Sequence, residues 1–313
     1  MAKTALLFPG QGSQYVGMGS AFYKDFPFAR EVFDMAEEIT RKPIKKLCFE
    51  GPLEELTVTA NLQPAVTAVN MCASIALSRE GIIPDYAAGH SVGEYSAFYS
   101  MGVLNDEDTF KLVNARGDLM DREANAHPGS MSALVGLDYD QVAGIVESVR
   151  GKGICSIANY NSPTQIVISG EKEPVEAAGV LAEAQGARAV PLPVSGAWHS
   201  ELIVKARDDF KSFLDQAVFN APKGTILLNV TGESEKDPGA IKEIMRGQIC
   251  APVQWCTIIQ NMLDEGVEIF IEAGPRKVLT GLLRKIAPKG SPHKVFSVED
   301  IDTLEKCLNK IRE

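Results

Sequence analysis

The stretch AAGHSVGEYSA, residues 87–97, sets Ser91 between Gly89 and Gly93. A short apolar run precedes it and a helix-compatible run follows. The spacing G-x-S-x-G suits a strand that turns sharply into a helix, with the serine held in a strained, exposed backbone conformation. Glycines on both sides remove the Cβ atoms that would block close approach of neighbouring backbone. A plain turn of small residues that happens to contain serine meets the same spacing, so the motif alone leaves both readings open.

Working outward from this turn, residues 5–8 form an apolar run closed by Pro9-Gly10, which reads as a buried strand entering a loop. Helical periodicity covers 62–80, PDYAAGH reads as a second strand leading to Ser91, and 92–103 is helix-like. Strands alternating with longer helices predict an α/β fold with a parallel sheet. The middle of the chain differs. A strand at 130–137, a helix at 138–150, strands in ICSIANY and TQIVISG, a helix at 173–185 and a strand in ARAVPLPV give the order β-α-β-β-α-β, that of a ferredoxin-like unit. Residues 127–194 are therefore expected to be a small domain inserted into a larger one made of 1–126 and 195–313. The last third alternates again, with a strand at 225–230, helices near 238–248 and 254–265, the strand VEIFIEAG and a helix from about 276.

The 313 residues are 45% apolar and 23% charged, the balance of a globular protein with a substantial core. No signal-peptide pattern and no run of about 18 apolar residues is present, so neither export nor membrane insertion is expected. The net charge of −10 carries no basic block, which argues against nucleic acid or an anionic membrane surface as partner. The six cysteines show no C-x-x-C and fit free thiols in a reducing cytoplasm.

A serine hydroxyl needs a neighbouring base to act as a nucleophile near neutral pH, and histidine is the usual one. Of His90, His127, His199 and His293, the first adjoins Ser91 in an extended segment and should face the other way. His127 falls in a loop at the domain boundary and His293 in a polar stretch near the C-terminal end. His199, in GAWHSEL, lies where the inserted unit returns the chain to the large domain, with a helix-like segment next; it is the candidate base, against the alternative of a surface histidine at a helix start. No aspartate stands out to orient it, and a backbone or amide carbonyl could hold its Nδ1 proton instead. Residues 105–120 read as a helix capped by Asn105, with acidic residues in the first turn. Leu112, Val113, Leu119 and Met120 share the face of Arg116, so that guanidinium should be buried. An internal salt bridge, a snorkelling stem, or a two-pronged clamp for a substrate carboxylate would each account for it.

Taken together these features resemble the malonyl-CoA:acyl-carrier-protein transacylase family. The resemblance runs through LFPGQGSQYVGMG (7–19), GHSVGEYSA (89–97), Arg116, GSMSALVG (129–136), IANYNSPTQIVISG (157–170), GAWHS (196–200), RGQICAPVQW (246–255) and EAGPRKVLTGL (272–282). It implies an α/β-hydrolase-like large domain with a ferredoxin-like small domain. It implies Ser91 as nucleophile, His199 as base, and Arg116 as holder of the malonyl carboxylate. Gln11 and Val92 would supply the backbone N–H groups of an oxyanion hole, Gln11 thereby also touching substrate, and the main-chain carbonyl of Gln248 would orient the histidine. The partners implied are malonyl-CoA and acyl carrier protein, in fatty-acid synthesis, with no metal or redox cofactor. Two positions depart from the family's pattern. Trp198 stands where many relatives carry phenylalanine and is expected to narrow the acyl pocket. Ala251 stands where several carry asparagine, which puts the hydrogen bonding of the histidine-orienting loop in question. A serine hydrolase on the same core, or a carrier-binding subunit with a relic site, are the rival readings.

Overall fold

The computed structural model describes residues 2–312. Nine strands form two sheets among these residues. β1 (Lys3–Phe8), β2 (Tyr86–Gly89), β7 (Thr225–Ile226), β8 (Val267–Ala273) and β9 (Lys294–Val298) make one sheet, in the order β7-β2-β1-β8-β9. Every neighbouring pair in it is parallel. β3 (Ser130–Val135), β4 (Cys155–Ser162), β5 (Gln165–Gly170) and β6 (Arg188–Pro191) make the second sheet, antiparallel throughout, in the order β4-β5-β3-β6.

The apolar run of β1 is buried on both faces, as a strand covered by helices on each side must be. Leu6 and Phe8 join Ala87 in the core that holds the helices Thr59–Arg79, Gly93–Ser100 and Asp106–Ala126. Ala5 and Leu7 join Tyr86 and Ala88 in a second core with the helices Trp255–Asp264 and Val278–Ile286. The small sheet puts Leu134, Ile166 and Ile168 against Val142, Ile145 and Val175 of the helices Tyr139–Val149 and Lys172–Ala184. Its opposite face, with Met131, Ala133 and Val167, packs into the first core. The small sheet is also tied by main chain to the segment that leads into the helix Trp255–Asp264: Tyr160 N–H donates to Val253 O at 2.9 Å, and Val253 N–H donates to Ala158 O at 2.8 Å. No helix of the described residues is long and apolar enough to cross a membrane.

Several boundaries shift from the sequence reading, each for a local reason. The expected strand at 225–230 ends after Ile226. Its continuation turns inward, so that Asn229 is buried against Gly89 and Ser91. The helix expected from 276 starts at Val278, because Arg276 takes a left-handed φ of 64°. The capped helix after Asn105 runs to Ala126, its first turn closed by Asp108 N–H on Asn105 Oδ1 at 2.7 Å. Helices at Pro27–Thr40 and Ile301–Arg312 are additions to that reading.

β1 and β2 run in register, with Phe8 beside Gly89, so the loops that leave both strands emerge together at the carboxyl edge of the sheet. There the packing is too tight for side chains. A Cβ on Gly93 would lie 2.1 Å from Phe8 O, and one on Gly10 would lie 2.4 Å from His90 O. Gly93→Ala is expected to lower stability by at least the 1–3 kcal/mol typical of overpacking. Gly144→Ala, in a helix with nothing within 4 Å of the new methyl, should raise it by about 0.5–1 kcal/mol. Thermal unfolding of the two variants beside the parent protein checks both signs.

Candidate active site

Ser91 forms the turn between β2 and the helix Gly93–Ser100, with φ 53°. A non-glycine residue in this region is strained and is held there only by its surroundings. Asn229 is the clamp. Its Oδ1 accepts the Ser91 N–H at 2.7 Å, and its Nδ2 donates to Gly89 O at 2.7 Å. The serine is half-buried rather than exposed, at the wall of a cavity of about 100 Å³ between the parallel sheet and the small sheet.

His199 reaches that cavity from the other side. Its backbone is also left-handed, with φ 58°, in a turn closed by Ser200 Oγ on Ala197 O at 2.7 Å. Its Nε2 lies 2.8 Å from Ser91 Oγ. Its Nδ1 lies 2.9 Å from Ala251 O and 3.1 Å from Gln248 O. Two carbonyls at Nδ1 require the proton there, which leaves Nε2 as an acceptor for the serine hydroxyl. The expected role of the Gln248 carbonyl thus has a nearer companion in Ala251. The Ala251 contact is made by main chain, so it needs no side-chain amide at that position. Burial, then the charge of Arg116, push the His199 pKa down to about 3, so the imidazole is neutral over the physiological range.

Arg116 is 1% exposed and makes no salt bridge among the described residues. The guanidinium instead donates from Nη2 to Ser91 Oγ at 3.1 Å and from Nε to Gln248 Oε1 at 3.2 Å, and lies 5.8 Å from the centre of the Tyr95 ring. The internal salt bridge and the snorkelling stem are both ruled out by this geometry. Arg116 lines the cavity, with the Tyr95 hydroxyl also beside its guanidinium.

Gln11 and Val92 line the same cavity next to Ser91, and neither backbone N–H has a protein acceptor among the described residues. Trp198, Met120, Met131, Leu192 and Val194 supply apolar wall. His90 departs in part from its expected place. Its Nε2 is held 2.8 Å from Asn161 Oδ1 and its ring lies 5.5 Å from Trp255, yet it borders the cavity. The left-handed turn at Ser91 breaks the alternation of an extended strand on which that expectation rested. His127 ends the helix Asp106–Ala126 at an exposed position, away from these groups. Asn229 and Glu94 belong to the site and were absent from the sequence reading; the E three residues beyond the serine in HSVGE was its only trace. A cavity of about 740 Å³ opens where the chain enters β2 and β7, beside Pro84 and Lys223, and holds none of the candidate catalytic or substrate-binding residues.

A strained serine, a neutral histidine with its free nitrogen on the hydroxyl, backbone donors beside it and a buried cation make a candidate site whose geometry suits acyl chemistry on serine. Comparison with known proteins bears on which kind. Residues 5–299 match the family model described as an acyl transferase domain. The malonyl CoA-acyl carrier protein transacylase of Bacillus subtilis strain 168 is 39% identical over 315 residues, covering 100% of this chain and 98% of that one. A crystal structure of the malonyl CoA-acyl carrier protein transacylase from Clostridium perfringens is 39% identical with a TM-score of 0.93, over 99% of this chain and 98% of that one. Another similar structure holds a type II PKS acyl-carrier protein in complex with its malonyl-transacylase; that match has 34% identity and a TM-score of 0.93, over 99% of this chain and 100% of the other. The chain belongs to the acyl transferase family.

The neutral imidazole has a thermodynamic consequence. His199 binds a proton in the unfolded chain below its ordinary value of 6.5, but in the folded chain only near 3. Its contribution is therefore present above pH 6.5 and lost as pH falls from 6.5 towards 3. At pH 5 the loss should be about 2 kcal/mol. Denaturant unfolding of the parent protein and His199→Gln at pH 7 and pH 5 should show the parent losing more stability than the variant by that amount.

Proposed function

We propose that the protein transfers a malonyl group from malonyl-CoA to the phosphopantetheine thiol of acyl carrier protein through a malonyl ester on Ser91, supplying fatty-acid synthesis. The observation that carries this reading is the buried Arg116, paired with no carboxylate among the described residues and bonded to the same Ser91 Oγ that faces His199 Nε2. A guanidinium in that position suits an acyl group that ends in a carboxylate.

In the first step Ser91 Oγ attacks the thioester carbonyl as its proton passes to His199 Nε2. The carbonyl oxygen becomes an oxyanion facing the N–H groups of Gln11 and Val92. One such donor is typically worth about 2.7–4 kcal/mol. The intermediate collapses by breaking the C–S bond, and His199 returns the proton to the departing CoA thiolate. In the second step the thiol of the carrier protein's arm gives its proton to His199 and attacks the ester carbonyl. Collapse now breaks the bond to Ser91 Oγ, which recovers its proton. The carbonyls of Gln248 and Ala251 keep the Nδ1 proton in place through both steps. No metal or redox cofactor enters them.

The same reading makes 1–126 and 195–313 an α/β-hydrolase-like catalytic domain and 127–194 a ferredoxin-like domain. The serine turn at the carboxyl edge of a parallel sheet supports the first, and the strand order β4-β5-β3-β6 with both helices on one face supports the second. A cytoplasmic location fits six cysteines without a disulfide.

Intact-mass analysis after mixing with malonyl-CoA should find one malonyl adduct, located at Ser91 by peptide mapping and absent from a folded Ser91→Ala protein. An adduct persisting in that variant would place the nucleophile elsewhere. His199→Ala should slow acylation far more than His90→Ala, since His90 is held by Asn161; equal losses in folded proteins would contradict the assignment of the base. Arg116→Ala should cost malonyl-CoA about 3–5 kcal/mol in kcat/KM, the scale of breaking half of a buried charge pair, and should cost acetyl-CoA little. Equal losses for both substrates would make Arg116 a structural residue. Release of one equivalent of CoA, followed by slow turnover until carrier protein is added, separates the transferase from a hydrolase.

A further inference from the structure

Glu94 is fully buried on the helix Gly93–Ser100, three residues past the serine, and the chemistry above gives it no part. Its Oε1 accepts the backbone N–H of Asn229 at 2.7 Å and its Oε2 accepts Gln248 Nε2 at 2.9 Å. Both oxygens face N–H donors, the arrangement of an ionised carboxylate. The other end of the Gln248 amide, Oε1, accepts from Arg116 Nε at 3.2 Å, and its Nε2 also donates to Ser91 O at 3.0 Å. A carboxylate and a guanidinium are thus buried on opposite ends of one side-chain amide.

We propose that Glu94 is a positioning residue whose carboxylate balances the charge of Arg116 across the Gln248 amide. The amide keeps the two from closing into a direct ion pair, so the guanidinium of Arg116 stays available for the carboxylate of the acyl group. The inference rests on the reading of Arg116 given above and deepens it.

A buried arginine normally demands a carboxylate in contact, and a carboxylate in contact would occupy the fork that a substrate needs. Here the demand is met at one remove. Gln248 offers its carbonyl to the cation and its NH₂ to the anion, so its dipole is aligned with both charges. Burial raises the Glu94 pKa to about 7, while the bonds from Asn229 and Gln248 and the charge of Arg116 oppose the rise. The ionisable groups facing it are Arg116, from the helix Asp106–Ala126, and Tyr95 on its own helix, whose phenol stays neutral because burial pushes its pKa up.

The test is a double-mutant cycle on the single-turnover rate of Ser91 malonylation, using the full-length chain, with Glu94→Gln made in the parent and in Arg116→Met. Glu94→Gln should slow acylation of the parent by about 10-fold or more, yet change the Arg116→Met protein by less than about 3-fold, as expected for coupled sites. The acylation rate of the parent should also show an ionisation near neutral pH that Glu94→Gln abolishes. Equal fold-losses in the two backgrounds, or an unchanged pH profile, would overturn the proposal. A second variant, Gln248→Leu, covers the case in which Glu94→Gln does not fold. It removes the amide and leaves both charges and the Gln248 carbonyl. The KM for malonyl-CoA should then rise about 10-fold, with a smaller change in kcat, because the two charges can close on each other. An unchanged KM would refute the spacer role. Failure of the Arg116 reading is seen separately, in an Arg116→Met protein that keeps full malonylation.

Discussion

The rest of the site depends on a single tight contact, that of the serine turn with the end of β1. Ser91 occupies a left-handed conformation that an isolated serine would leave, at a cost of order 1–3 kcal/mol. Backbone packed on backbone keeps it there. Phe8 O abuts Gly93, and His90 O abuts Gly10. Registered pairing of Phe8 with Gly89 fixes both arms to the same edge of the sheet. The same approach that strains the serine brings the Gln11 loop beside it, so the proposed nucleophile and oxyanion donors are set by one constraint. Asn229 completes the clamp, binding the N–H of the strained residue and the carbonyl of the glycine before it.

The second half of the site is tied to the small sheet. Val253 pairs through its N–H and C=O with Ala158 and Tyr160 of β4, two residues beyond the carbonyl of Ala251 that holds His199 Nδ1. The loop that orients the imidazole is therefore a short extension of the small sheet as well as part of the large unit. Met131, Leu192 and Val194 bring side chains from the same region to the wall of the cavity. The small sheet thus bears on the orientation of His199 and on part of the cavity wall, while Ser91 is set by β2.

What could be read from sequence follows from how local each signal is. The serine turn, the Asn105 cap and the burial of Arg116 are set by residues within four positions of one another, and all three stand in the structure. The β-α-β-β-α-β order was legible because its strands and helices are short and well punctuated. The strand near 225 was overextended because an inward turn after Ile226 serves Asn229, whose partners are more than a hundred residues away. Glu94 was missed for the same reason: its meaning lies in Gln248 and Asn229, which only the fold brings to it. The helix Pro27–Thr40 does carry a local signal, proline at its first position and Phe28, Val32, Phe33 and Ala36 on one buried face. Ala251 shows the opposite case, a residue whose contact with His199 belongs to main chain and does not depend on its side chain.

The charge of Arg116 acts on both members of the Ser91–His199 pair, in opposite senses. Its Nη2 bond to Ser91 Oγ favours negative charge developing on that oxygen, which helps the attack. Its field also lowers the basicity of His199, adding to the effect of burial, which hinders removal of the proton. An anion seated on the guanidinium cancels much of that field at the imidazole, so the pKa of His199 must rise when the anion binds. A neutral acyl group of the same size leaves the field in place and the base weak. On the proposed role of Arg116, selection for a carboxylate is then expressed twice by one residue, once in binding and once in the strength of the proposed base. It requires that Arg116 be both charged and uncommitted before substrate arrives. A direct ion pair would already have neutralised it, and the base would no longer distinguish one acyl group from another.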